Sequence, residues 1–329
     1  MELGHSDSLP AGVNDCYVSV VIPVYGDGAA LSELTERIVR VAENSAWKKW
    51  EVILVNDGSP QKCWGLIQRL AECNPKIRAI NLQRNFGQHN ALLAGIKASA
   101  GDVVLTMDDD LQHPPEEIPK LISKLQTGFD LVYGAPIAMV HSSWRNWTSI
   151  IGKAALKSVL GAQSARQISA FRVFRGGLRP VFLEYRSPYV SIDVLLSWAT
   201  TRIGSVPVRH EPTKVEYSRY TLWRLGRHLT DMVIGFSIWP LRLASFVGFA
   251  FTCFGAILLI YVIVRYFTSG GSVPGFPFLA SIIVIFSGAQ LFALGMIGEY
   301  LARMYFRLMD RPPYLIENAI NFPCDRVVA

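Results

Sequence analysis

Two uncharged stretches near the end of the chain restrict its folding options more than anything else in the sequence. From Ala244 to Val264 there are 21 consecutive residues without a charge, and from Phe276 to Gly298 there are 23. Each is long enough to cross a hydrocarbon layer of about 30 Å as a helix, whereas soluble cores seldom need such runs. Half of the 329 residues are hydrophobic, and the apolar excess is gathered in these two segments. The linker between them, Arg265 to Pro274, is short, so a helical hairpin is expected. It carries one basic residue, Arg265. By contrast, Arg219, Arg224, Arg227 and Arg242 precede the hairpin, and Arg303, Arg307 and Arg311 follow it. Basic residues favour the cytoplasmic side of a membrane, so the large N-terminal part and the C-terminal tail are both expected there. From Thr221 to Leu243, Trp223, Leu225, Met232, Ile234, Phe236 and Trp239 alternate with Arg224, Arg227, His228 and Arg242. That pattern predicts an amphipathic helix at the membrane interface.

Other compositional signals narrow the class. Residues 1–16 lack a basic n-region and an apolar h-region, so no signal peptide is expected. Cys16, Cys63, Cys73, Cys253 and Cys324 form no CxxC pair, which predicts free thiols and no zinc site. The net charge of +6 is modest and gathers beside the spans, which favours anionic lipid over nucleic acid as a partner.

The N-terminal part alternates strand and helix signals. Residues 17–25, YVSVVIPVY, read as a buried strand closed by a Gly26-Asp27-Gly28 turn. Residues 29–44 carry helical periodicity through Leu31, Leu34, Ile38 and Val41. A second strand, Glu51 to Val55, ends in the turn Asn56-Asp57-Gly58-Ser59-Pro60. After another helix and the strand Ile77 to Leu82 comes a polar loop, Gln83 to Asn90, and a helix to about Ala98. The run Val103 to Met107 then ends in three carboxylates, Asp108, Asp109 and Asp110, followed by Leu111, Gln112, His113 and two prolines. This βαβαβαβ order predicts a parallel sheet, whose strands, covered on both faces, read as unbroken apolar runs. Alone, the acidic turn could be a solvated cap on the helix starting near Pro115. But Asp27, Asp57 and the Asp108–Asp110 cluster all follow strands, so all three fall on the sheet edge where α/β folds bind ligands. Adjacent carboxylates there favour a hard divalent cation. No GxGxxG follows the first strand and no GxxxxGK[ST] occurs, which disfavours a dinucleotide dehydrogenase and a P-loop NTPase. Farther on, Phe129 to Tyr133 and Ser169 to Arg175 read as strands, Ser143 to Leu160 and Ile192 to Trp198 as helices, and the region about Val206 as a strand.

With these motifs in place, the chain resembles the polyprenyl-phosphate glycosyltransferases of glycosyltransferase family 2, the group that includes dolichyl-phosphate mannose synthase. The matching segments are Val21-Ile22-Pro23-Val24-Tyr25, Val55-Asn56-Asp57-Gly58-Ser59, Arg84-Asn85-Phe86-Gly87-Gln88-His89, Asp108 to Glu116, and Gly295-Met296-Ile297-Gly298-Glu299-Tyr300, in family order over residues 17–316. The resemblance implies a GT-A fold, a Rossmann-like α/β domain binding a nucleotide-sugar, over residues 17–212. Around it would lie an extension (1–16), an interfacial region (213–243), a transmembrane hairpin (244–300, spans about 244–266 and 276–299) and a cytoplasmic tail (301–329). It further implies that Pro23, Tyr25, Asp27, Asp57, Arg84, Gln88 and Asp108 bind the nucleotide-sugar, and that Asp108, Asp110 and Gln112 hold Mg²⁺ or Mn²⁺. Asp110, Arg172, Arg175 and Arg219 would carry the catalytic role, with Lys214 a further candidate cation.

The expected activity is inverting transfer from a UDP-sugar to undecaprenyl or another polyprenyl phosphate at the cytoplasmic membrane, for cell-envelope modification, by a homo-oligomer such as a tetramer. Departures are visible. Asp27 stands where the family usually has Glu, Asp109 replaces a small residue, and Ser169-Ala170 precede Phe171-Arg172 where relatives often carry a carboxylate. For Arg172 and Arg175 a solvated strand face is the competing interpretation. A processive polysaccharide synthase is disfavoured by the lack of a QxxRW motif and of further spans. A catalytically dead scaffold or nucleotide-sugar sensor is disfavoured by retention of the acidic set. The sugar itself stays open among glucose, N-acetylhexosamine and aminoarabinose.

Overall fold

The computed structural model describes residues 16–45, 47–136, 169–187, 190–211, 239–269, 275–309 and 311–322. The chain divides into two compact units: Met1–Arg219 together with Asp310–Ala329, and Tyr220–Met309. In the first, β1 (Tyr17–Val24), α1 (Leu31–Asn44), β2 (Lys49–Asn56), α2 (Gln61–Cys73), β3 (Ile77–Leu82), α3 (Gln88–Ala98) and β4 (Val103–Thr106) follow the predicted order. Next come α4 (Ile118–Gln126), β5 (Leu131–Pro136), β6 (Arg172–Arg175), α5 (Pro180–Leu183), α6 (Ile192–Ala199) and β7 (Ile203–Val208).

One eight-stranded sheet runs through the unit in the order β7-β5-β6-β4-β1-β2-β3-β8, where β8 is Ile316–Ile320. β1 to β4 are mutually parallel, while β6 runs antiparallel to both β4 and β5. The alternation of side chains divides the core into two layers. Val18, Val20, Ile22 and Val24 face Leu31, Leu34, Ile38 and Ile67 of α1 and α2, with Leu121 and Leu125 of α4. On the other face Val21, Ile53, Val55 and Ile80 meet Ala91–Ile96 of α3 and Ile192, Leu195 and Leu196 of α6. Coverage on both faces explains why the central strands are mostly apolar, with the buried polar residues Ser19, Glu51, Asn56, Asn81 and Thr106 the exceptions.

The tail departs from expectation. It does not trail free: β8 pairs antiparallel with β3 and closes that edge of the sheet. Tyr314 enters the α3-side core with 8% exposure, and the Asn321 side chain donates to Ala71 O (2.7 Å) and Ile77 O (2.8 Å). Of the tail expected over residues 301–329, residues 311–322 are therefore part of the folded domain, while residues 301–308 continue the second long helix.

Among the described residues the second unit holds two long helices, α7 (Trp239–Ser269) and α8 (Phe276–Leu308). Phe251 and Phe286 meet edge-on at 5.8 Å, and Gly255 lets the Phe286 ring approach to where a β-carbon would sit 2.9 Å away. Phe246, Phe249, Ile257, Ile260 and Leu291 point outward, and two segments, Ala244–Arg265 and Ile285–Ala302, are long and apolar enough to cross a membrane. α7 begins at Trp239, so the last residues assigned to the interfacial region belong to the first long helix. The rest of that region, with Lys214 and Arg219, and the predicted helix Ser143–Leu160 lie outside the described residues.

Candidate active site

The sheet order reverses between β1 and β4, since β2 and β3 continue on one side of β1 and β4 lies on the other. At such a switch point the loops beyond the strand ends diverge and leave a crevice. The loop after β1 carries Tyr25 and Asp27, and the loop after β4 carries Asp108–Asp110, so the structure brings these predicted residues to one crevice. Tyr25 is 64% exposed there, unusual for an aromatic residue beside buried strands.

Asp57, at the end of β2, is 2% exposed and has a definite task. Its two carboxylate oxygens accept the backbone N–H groups of Phe86 (2.7 Å) and Gly87 (2.9 Å) and pin the β3–α3 loop. Burial still pushes its pKa above the usual carboxylate value, against those two N–H bonds. Gly58 permits the close approach: its φ is +66°, and a β-carbon would lie 2.3 Å from Asn85 N. The loop then presents Arg84, whose guanidinium sits 4.7 Å over the Phe86 ring, and Gln88, whose amide donates to Asp108 Oδ1 at 2.6 Å.

The three aspartates are divided by geometry. Asp108 is pushed up to about 6 by burial and by Asp110, against the opposing Arg172 charge and the Gln88 hydrogen bond. Asp109 is pushed up to about 7 by burial and by Asp108, although it accepts the Tyr25 backbone N–H. Asp109, unassigned from sequence, thus ties the β4 loop to the β1 loop. Asp110 Oδ1 accepts the Gln112 N–H at 3.0 Å, a turn closed by Leu111 at φ +59°, uncommon for a buried branched residue. No group of three His, Cys, Asp or Glu among the described residues is arranged to hold a metal ion. Two carboxylates, Asp108 and Asp110, with substrate phosphates and water nevertheless match the way hard divalent cations are held. The uncompensated charge of the cluster is what such a cation would relieve.

The two arginines of β6 part company. Arg172 pairs with Thr106 at the β4 end nearest the aspartates, and Arg175 with Val103 at the other end. Arg172 is 2% exposed, so the solvated-face interpretation fails for it. It forms a buried ion pair with Asp193 of α6 and donates to Thr106 Oγ1 at 2.9 Å. Tyr133 Oη also donates to Asp193 Oδ1, at 2.9 Å. Burial opposes its charge, but Asp193, Tyr133 and Asp108 hold its pKa above the usual value. Arg172 is a fixed counter-charge behind Asp108. Arg175 does not join the site: three residues along a strand, about 10 Å, separate it from Arg172, and it lies 3.3 Å from Asp130.

Two neighbours were not anticipated. His113 lies 5.2 Å from the Phe171 ring and 5.1 Å from His210, with Nε2 3.4 Å from Ser169 Oγ. Burial, with His210 beside it, lowers its pKa to about 4, so it is neutral at pH 7. Asp193 also went unassigned, although a lone carboxylate in the first turn of the apolar segment Ile192–Ala199 signals a buried partner.

Residues 19–180 match the Glycosyl transferase family 2 domain. A Pseudomonas paraeruginosa protein named undecaprenyl-phosphate 4-deoxy-4-formamido-L-arabinose transferase is 34% identical over 92% of this chain and 90% of its own. A Shewanella sediminis protein of the same name is 32% identical over 92% of each chain. Among solved structures, glucosyl-3-phosphoglycerate synthase from Mycobacterium tuberculosis in complex with Mn²⁺, UDP and glucosyl-3-phosphoglycerate covers 67% of this chain and 78% of its own, at 18% identity and a TM-score of 0.48. The family match and the near full-length similarity to these relatives make the chain a member of the polyprenyl-phosphate glycosyltransferases of glycosyltransferase family 2.

Proposed function

We propose that the protein transfers a sugar from a UDP-sugar to undecaprenyl phosphate, or a closely similar polyprenyl phosphate, with inversion, at the cytoplasmic face of the membrane. The observation that carries this is the acidic switch-point crevice in a unit whose chain enters and leaves an apolar hairpin. Residues before and after the hairpin fold into one unit, which supports placing both ends of the hairpin on the same side of a bilayer. The basic residues on its outer flanks favour the cytoplasm. The acceptor is argued from the relatives' name.

Tyr25 and Asp27 would take the base and ribose, with Asp57 and Arg84 shaping the far wall. Asp108 and Asp110 would hold Mg²⁺ or Mn²⁺, assisted by Gln112. When bound, the cation supplies charge neutralisation to the departing diphosphate. One acceptor phosphate oxygen forms the new bond to the anomeric carbon as the bond to the UDP oxygen breaks, so a single displacement inverts that centre. A phosphate monoester, with second pKa about 6, is largely dianionic at neutral pH. A general base therefore has no proton to remove, which accounts for the missing carboxylate before Phe171. Arg172 keeps Asp108 in place from behind, and Arg219 is a candidate cation for the acceptor phosphate. Gly248, Gly288 and Gly295 have open space beside them, which suits packing of further copies into a homo-oligomer.

The test is to incubate membranes containing the protein with radiolabelled UDP-sugars and undecaprenyl phosphate, with Mg²⁺ or Mn²⁺, and extract with organic solvent. A 4-deoxy-4-formamido-L-arabinosyl donor is the first arm, glucose and N-acetylhexosamine donors the next. Label appearing in the lipid phase, and lost with Asp110→Ala, is expected. No lipid-linked label from any donor would overturn the assignment.

A further inference from the structure

The strand that follows the membrane hairpin is wired into the donor side of the crevice. In the β3–β8 ladder Asn81 faces Asn318 and Leu82 faces Ile316, so Glu317 is the extra residue of a bulge. Bulges re-aim side chains, and this one turns Glu317 toward Asn81, whose amide donates to Glu317 Oε2 at 2.7 Å. Asn81 Oδ1 in turn accepts from the Asn56 amide at 2.6 Å. Asn56 Oδ1 accepts the Ser59 backbone N–H at 3.2 Å, and Ser59 Oγ accepts the Gly26 N–H at 3.2 Å. The relay ends on the two loops that carry Asp57 and Asp27.

Its direction is fixed at both ends, by the Ser59 backbone N–H, which only donates, and by Glu317. A carboxylate only accepts hydrogen bonds, whereas an Asn amide can present either its oxygen or its NH₂. With Glu317 accepting, Asn81 must turn its NH₂ outward and its oxygen inward, and Asn56 must then offer its oxygen to Ser59. Asn56 and Asn81 are 1% and 7% exposed, so a reversed amide would leave buried donors facing one another. A second tie runs beside the first: Leu315 O accepts the Gln83 N–H at 3.0 Å, at the start of the loop that Asp57 pins.

We propose that Glu317 is a positioning residue for the nucleotide end of the donor site, and that the segment after the hairpin completes that site. This rests on the reading of the Asp27–Asp57 side as the nucleotide pocket. Among the described residues the relay from Glu317 ends on the loops that carry Asp27 and Asp57, so the effect is expected on the donor.

The experiment uses the full-length protein in membranes or detergent, measuring KM for the UDP-sugar and for the lipid phosphate, kcat, and UDP affinity. Glu317→Ala is expected to raise donor KM and weaken UDP binding roughly three- to tenfold, the range of one hydrogen bond, with kcat and lipid KM within about twofold. Glu317→Gln, whose carbonyl can accept the same N–H, restores the donor KM. Glu317→Lys, which can only donate, raises donor KM more than Ala does, and it serves in place of Glu317→Ala should that variant give little folded protein. An unchanged donor KM in both Glu317→Ala and Glu317→Lys, or a loss confined to kcat or lipid KM, overturns the inference. So does failure of Gln to rescue. Asp57→Ala separates the two readings. If it weakens UDP binding while the Glu317 variants do not, only the relay fails; if it leaves UDP binding intact, the nucleotide pocket itself is misplaced.

Discussion

The two ends of the sheet treat carboxylates in opposite ways. Before β5, Asp130 is buried, which would raise its pKa, but it accepts from Arg202 (2.8 Å) and Thr200 (2.6 Å), and these bonds with the Arg202 and Arg175 charges hold it below the usual value. Glu51, near the start of β2, accepts from Ala100 N (2.8 Å) and pairs with Arg78 at 2.6 Å. At the other end, Asp57, Asp108 and Asp109 are all raised, because burial there is not matched by enough positive charge. Asp130 and Asp108 are the same residue type, and the sign of the shift differs. A carboxylate that is fully paired inside the protein needs nothing more, whereas Asp108 and Asp109, raised by their neighbours as well as by burial, are the candidates for a partner from solution. Arg175 and Arg172 repeat the division on one short strand, Arg175 serving Asp130 and Arg172 standing behind the crevice.

The largest test of this contrast removes one charge from each end. Asp110→Ala is expected to lower sugar transfer by about 10³-fold or more, the scale of losing a main electrostatic contributor. Its thermal midpoint should stay level or rise, since two repelling carboxylates are easier to bury than three. Asp130→Ala should do the reverse, lowering the midpoint while leaving turnover per folded molecule unchanged. An active Asp110→Ala variant would erase the functional half of the comparison.

The next effect comes from the arginines. Arg172→Met strands Asp193 without its cation, a change that costs about 3–5 kcal/mol when the pair is buried. Arg175→Met costs about 1 kcal/mol, because Asp130 keeps Arg202 and Thr200. Thermal midpoints of the two variants in detergent should differ accordingly, and equal midpoints would mean that the burial of Arg172 is not what distinguishes it. Adding Asp193→Asn to Arg172→Met should recover part of the stability and none of the transfer activity.

Much of this arrangement could be read from the residues, and the failures have physical causes. β1 to β4 announce themselves because strands covered on both faces must be apolar, and their ends carry turn chemistry. The hairpin is legible because uncharged runs of 21 and 23 residues are seldom needed in a soluble core. β8 is not legible. Its residues, Ile-Glu-Asn-Ala-Ile, alternate weakly, and its partner β3 lies more than 230 residues earlier, so no local pattern encodes the pairing. The three aspartates were found together, but their separate tasks depend on which loop each one faces. Arg172 and Arg175 looked alike because a spacing of three says nothing until the strand is known to be only four residues long. Once it is, the pair must lie at opposite ends and on opposite faces.

The smallest effect, and the sharpest in sign, is the dependence of stability on pH. Asp130 has a folded-state pKa below the unfolded value of about 3.8, so the unfolded chain binds more protons near and below that pH. Its contribution is complete above pH 4 and fades as the pH falls through the lowered value. Asp109 is raised to about 7, so the folded chain holds the extra proton between pH 4 and 7, and stability is lost as the pH rises across that window. Asp130→Asn should therefore lower the thermal midpoint at pH 6 and 8 and converge on the parent protein only as the pH falls through the lowered value, below 3.8. Asp109→Asn should match the parent near pH 4 and exceed it at pH 8, provided the measurement is made without divalent cations or donor. Adding Mg²⁺ and UDP should shrink the advantage of Asp109→Asn at pH 8, because a cation among the aspartates supplies the charge that the far end of the sheet obtains from its arginines. Two midpoint curves with the same slope would show that the ends of the sheet do not differ as their contacts imply.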